Sequence, residues 1–144
     1  MTPVLFGRWQ TRIFLLATVG MLVSLPFAFG YLGPTRGEFN SVFFWVVFYV
    51  GLLGLAWDIL YNYLQQYMWD HDWPGVFQFF GAIAEGIVLE LLIKFVCLPN
   101  IPKTIDLGWF VIHYSLVSLI AFLSAWVLMR LLFPRWRFRG GQWL

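Results

Sequence analysis

The sequence has little charge. Only 11% of its 144 residues are Asp, Glu, Lys or Arg, against about 25% in an ordinary soluble domain. That scarcity excludes a solvated globular surface. Cysteine is also scarce. Cys97 stands alone, which excludes an internal disulfide and any multi-cysteine zinc or iron–sulfur site. It lies at an apolar helix end, where inert packing is expected. The two histidines, His71 and His113, form no paired Glu-x-x-His motif of the di-iron bundles. There is no G-x-S-x-G, H-E-x-x-H or P-loop. No internal repeat stands out. The formal net charge is only +2, and the basic residues cluster toward the ends. They suit membrane topology, and no nucleic-acid partner is expected.

What is present is apolar. Hydrophobic residues make up 61% of the chain and the mean hydropathy is +0.78. The sequence predicts an all-α integral membrane bundle of four transmembrane helices, with residues 1–144 forming a single transmembrane domain. The predicted spans are 13–32, 42–67, 76–98 and 107–133. Residues 1–12 read as an amphipathic lead at headgroup level, with Phe6, Arg8, Trp9 and Arg12. The first span has a passable signal-peptide cleavage site at Ala28-Phe29-Gly30, but its apolar run is long, and retention as a span is expected. Pro26 is expected to kink it.

Orientation follows from the arginines. Arg8 and Arg12 precede the first span, and Arg130, Arg135, Arg137 and Arg139 mark the end of the fourth. The intervening loops on the opposite side carry only Arg36 and Lys103. The positive-inside rule then predicts both termini cytoplasmic, in a multi-pass protein of a bacterial inner membrane or an equivalent one. The acidic turn Asp70-His71-Asp72 falls on the cytoplasmic side. Asp72 could cap the next helix, and the basic tail could pair with these acids or with anionic lipid heads.

The stretch from Trp57 to Gly86 holds four of the seven carboxylates, namely Asp58, Asp70, Asp72 and Glu85. Folding it as a hairpin about His71 and Asp72 puts Asp58 level with Glu85, and Gln65 level with Gln78. Asp58 then lies about 10 Å deeper than Gln65. Gly51, Gly54, Asp58, Asn62, Gln65 and Trp69 recur at helical spacing, as do Gln78, Gly81, Ala82 and Glu85. Small and polar residues on one stripe mark a membrane helix–helix interface. Asp58, Glu85, Asn62, Gln65 and Gln78 are therefore the candidate proton or cation site, with inter-helix hydrogen bonding as the alternative. Two buried carboxylates are expected to share a proton or hold a cation.

A second polar cluster is expected from Glu90, Lys94 and His113. Glu90 and Lys94 stand at i and i+4, and folding the third and fourth spans together brings Glu90 level with His113. Lys94 could instead snorkel to the headgroups, and His113 could bond a carbonyl. No cofactor is fixed by the sequence; His113 is the residue best placed to ligate a haem or chlorophyll. No metal site is expected. The functional expectation is a non-enzymatic homo-oligomeric or accessory subunit of a membrane complex, with the bilayer and other membrane subunits as partners. The alternatives are a proton- or cation-linked transporter or channel using Asp58 and Glu85, and an intramembrane enzyme. An enzyme would need a substrate-sized cavity opening on those two acids.

Overall fold

The computed structural model describes residues 4–71 and 74–142. Every regular element among them is helical. Helix α1 (Leu5–Leu15) runs through a π-helical turn (Leu16–Gly20) into α2 (Met21–Ala28), so the first span is one helix of 24 residues. Helix α3 covers Val42–Gln65, α4 covers Gly75–Leu91 and continues as a π turn (Leu92–Val96), and α5 covers Leu107–Leu132. A 3₁₀ turn, Trp136–Arg139, follows. Four helices are thus long and apolar enough to cross a membrane.

Helices α3, α4 and α5 cover three of the four stretches expected to be spans. The first span differs. It was expected at 13–32, after an interfacial lead, yet the helix starts at Leu5 and takes Arg8 and Arg12 into its body. A run of apolar residues marks where a helix can face lipid. It does not mark where a helix begins when its charges find partners inside the bundle. Pro26 is accommodated in the last turns of α2.

The helix ends follow local chemistry. Asp106 caps α5 by accepting from the Trp109 N–H at 3.0 Å. Pro74 stands at the N-cap of α4, and its carbonyl accepts from Phe77 and Gln78. The cap expected of Asp72 lies outside the described residues. Cys97 ends the third span in the left-handed region at φ 62° and is exposed, not packed.

Only 22–33% of the most apolar part of each span is buried within the protein. The remainder is a coat of exposed side chains such as Leu22, Phe48, Leu52, Ile59 and Leu131. Contiguous apolar surface of that extent would drive a soluble protein to associate, whereas lipid accepts it. The main core joins Leu16, Val46, Val47, Leu89, Ile93 and Val117. A smaller one joins Leu15, Ala125, Met129 and Trp136 at the opposite end.

The segment after α5 turns back on α1. Val4 N–H donates to the Gly140 carbonyl at 2.9 Å. Thr11 Oγ1 donates to the Gly141 carbonyl at 3.0 Å and accepts from Trp136 Nε1 at 2.9 Å. Gly7 makes room for this: a Cβ there would lie 2.7 Å from the Gly141 carbonyl carbon.

Candidate functional site

The centre of the site is Arg12. Its Nε donates to Asp58 Oδ2 and its Nη2 to Asp58 Oδ1, both at 2.9 Å. Its Nη1 donates to Glu85 Oε2 at 2.9 Å, and Nη2 reaches Glu85 Oε1 at 3.3 Å. One planar guanidinium therefore grips four carboxylate oxygens from two other helices. The fork geometry of arginine suits this bidentate pairing, and a lysine point charge would not reproduce it. Asp58 is 3% exposed and Glu85 8%. Burying either charge alone would be expensive. Together with the guanidinium they convert like-charge repulsion into attraction across α1, α3 and α4.

The backbone makes this possible at Gly54. A Cβ on Gly54 would stand 2.6 Å from Arg12 Cζ and 2.7 Å from Cδ. The arginine stem passes over the glycine one helical turn before Asp58, so the small stripe on α3 serves as a channel for a side chain. Gly51, on the same stripe, meets only Leu16 Cδ1 at an ordinary 3.5 Å.

One turn earlier on α1, Arg8 Nη2 donates to Gln65 Oε1 at 2.8 Å. Gln65 Nε2 donates in turn to the His71 carbonyl at 2.5 Å, tying the turn to the cluster. Trp9 Nε1 donates to the Leu55 carbonyl at 3.1 Å. With all groups ionised, Arg8 and Arg12 balance Asp58 and Glu85.

The residues singled out by the sequence are thus distributed as follows. Asp58 and Glu85 meet on Arg12. Gln65 joins through Arg8. Asn62 is half-buried and Gln78 is exposed, and neither bonds the acids among the described residues. His71 contributes its backbone carbonyl and has a left-handed φ of 50°. Asp70 is exposed, and Asp72 lies outside the described residues. Glu90 and Lys94 form an ion pair at 3.1 Å within their own helix. His113 stands apart from them: its Nε2 lies 2.8 Å from Ser24 Oγ on α2.

That histidine is fully buried against Phe27 and Phe43, with ring centroids at 5.0 and 4.9 Å. Ser24 Oγ donates to the Gly20 carbonyl at 2.8 Å. The hydroxyl proton is then committed, so His113 Nε2–H is the donor to Ser24 Oγ. The two phenylalanine rings also touch each other, with centroids at 5.3 Å, so His113 completes a three-ring cluster and its Nε2 is engaged by Ser24.

Sequence reasoning missed Arg8, Arg12, Ser24 and two tyrosines. Tyr114 Oη donates to the Ala82 carbonyl at 2.6 Å, and its ring fills the space over Gly86. Tyr61 packs over Gly81 in the same manner. One signal was present for Arg12. No proline separates Leu5 from the first apolar run, and two buried acids call for a cation.

A cleft of about 1150 Å³ opens on this cluster between α1, α4 and α5. Arg12, Asp58, Tyr61 and Glu85 line its floor. Among the described residues no group of three His, Cys, Asp or Glu side chains converges to hold a metal. Comparison with protein-family models, curated proteins and solved structures finds no match to this chain.

Proposed function

We propose that the chain is a small, non-enzymatic, multi-pass membrane protein that works as an oligomer or as an accessory subunit of a membrane complex. It forms one transmembrane domain with both ends cytoplasmic. The observation that carries this is the use of Arg12. The two acids that would make a transport or catalytic site are held at all four oxygens by a cation from the same chain. A carboxylate engaged in this way is a fixed element of the bundle, and with Arg8 one turn away no cation or proton from outside the chain is needed for charge balance. Four spans also enclose little private pathway, which favours action alongside copies or partners.

The rival is a transporter in which a proton or cation competes with Arg12 for Asp58 and Glu85. The cleft that opens on the acids favours it. An intramembrane enzyme would need the same cleft and at least one acid released from the guanidinium.

The deciding experiment pairs affinity capture from native membranes with flux in liposomes. A subunit co-purifies with a defined partner and gives no pH- or cation-driven flux. Flux that Asp58→Asn and Glu85→Gln abolish, in protein that still folds, would establish the transporter. Orientation is checked by cysteine labelling. Cysteines at Thr35 and Lys103 are expected to react from outside, and those at Asp70 and Gln142 from the cytoplasm. Labelling of Thr35 and Gln142 from one side rejects the topology.

A further inference from the structure

The cleft has an order of chemistry along its length. At the end near the 3₁₀ turn, Trp126 reaches across to α4, its edge 3.2 Å from where a Gly75 Cβ would stand. The Arg130 guanidinium stacks over that indole at 4.7 Å. Arg130 is exposed and takes no carboxylate partner among the described residues. Further in, Gln78 and Ser118 offer an amide and a hydroxyl to the space. Beyond them the walls are mostly apolar, with Ile87, Leu91, Leu107 and Val111, and the carboxylate among them, Glu90, is paired with Lys94.

We propose that this cleft seats a phospholipid with an anionic head, taken from the leaflet at the Arg130 end. A guanidinium beside an indole at an interface is suited to a phosphate. The Gln78 amide, about one turn beyond Gly75, suits an ester carbonyl. The apolar length beyond them suits acyl chains. Its volume exceeds the few hundred to about 1,000 Å³ of an ordinary small-molecule pocket.

Two features choose a lipid over a partner helix. The cleft is bridged, by Trp126 at Gly75 and by Tyr114 on the Ala82 carbonyl at 2.6 Å. A helix about 10 Å across cannot enter without parting both bridges, whereas flexible acyl chains pass between them. Charge is also compatible. The deep acids are paired with Arg12. At the mouth the cleft is lined by exposed Arg130 together with exposed Asp70. This site does not depend on the accessory-subunit role, because lipid occupancy needs neither a partner nor flux.

The test uses the full chain in phosphatidylcholine nanodiscs doped with phosphatidylglycerol that carries a diazirine near the glycerol. Saturable labelling is expected in peptides from α4 and α5 facing the cleft. Arg130→Gln should lower it about tenfold, the equivalent of losing one charge-assisted hydrogen-bonding group. Ala121→Trp, which fills the cleft, should abolish it. Should Ala121→Trp fail to fold, the exposed Arg130→Gln still decides. Labelling of the outward face of α3 around Leu52 to the same extent would mean annular lipid only, and would overturn the site. A phosphatidylcholine probe that labels equally, or labelling indifferent to Arg130→Gln, would overturn the anionic assignment.

Discussion

The two ends of the bundle solve the same problem differently. In the N-terminal half of the first span, three helices are joined by full charges on Arg12, Asp58 and Glu85. Toward the far end of the first span, α2 and α5 are joined by a neutral pair, Ser24 and His113. Both sites are buried. The charged one hangs on a single guanidinium, so removing Arg12 leaves two carboxylates uncompensated. The neutral one can be replaced by apolar groups of similar shape at little cost. The charged end therefore specifies which helices meet and in what register, while the neutral end mainly fills space.

The largest test of that contrast is Arg12→Gln. It strands two carboxylates around one vacancy, and a loss of about 3–5 kcal/mol is expected, as for breaking a buried ion pair. Asp58→Asn should cost less, about 1–3 kcal/mol, because Arg12 keeps Glu85 as a partner. Thermal unfolding in detergent measures both. If Arg12→Gln proves no worse than Arg36→Gln in the exposed loop, the ion cluster does not hold the bundle together.

The next test uses two glycines one turn apart. A methyl on Gly54 must displace the Arg12 stem, which has no free direction while it holds both acids. Gly54→Ala is expected to cost about 1–3 kcal/mol by overpacking. Gly51→Ala meets only Leu16 at 3.5 Å. It should be neutral or stabilising by up to about 1 kcal/mol through helix propensity. Equal effects at the two positions would mean that the stripe acts through close backbone approach and not through the arginine.

Much of this was legible in the sequence, and the omissions have a common cause. The expected second, third and fourth spans agree with α3, α4 and α5 to within a few residues, because long apolar runs admit one secondary structure in lipid. Counting back from the turn was enough to place Asp58 level with Glu85. The partner was not legible. Arg12 was assigned to the headgroups because a span rule treats an arginine as a boundary, and the compensating charge lies 46 residues away for Asp58 and 73 for Glu85. Hydropathy is a local property and ion pairing is not. The same limit applies to His113. Level-matching along one hairpin brought it toward Glu90, whereas its bond is to Ser24 on the first span, outside that hairpin altogether.

The smallest net effect is expected of a double variant at the neutral end, and it is the sharpest discriminator. Ser24→Ala removes the acceptor of His113 Nε2–H. His113 Nδ1 already lacks a partner among the described residues. The imidazole would then sit against Phe27 and Phe43 with neither nitrogen satisfied, at a cost of about 1–3 kcal/mol. The Gly20 carbonyl keeps its helical bonding and adds little. Replacing the histidine as well, in Ser24→Ala with His113→Leu, removes both polar groups at once. The double variant should recover most of the loss, minus about 0.5–1.5 kcal/mol of aromatic contact with the two phenylalanines. At the charged end no such pairwise rescue is available: Arg12→Gln combined with Asp58→Asn still leaves Glu85 buried without its cation. A double-mutant cycle at each site therefore separates them. Strong rescue at Ser24–His113 with weak rescue at Arg12–Asp58 upholds the contrast. Rescue of equal size at both would mean that Glu85 is accommodated without the guanidinium, and that the charged end is no more specific than the neutral one.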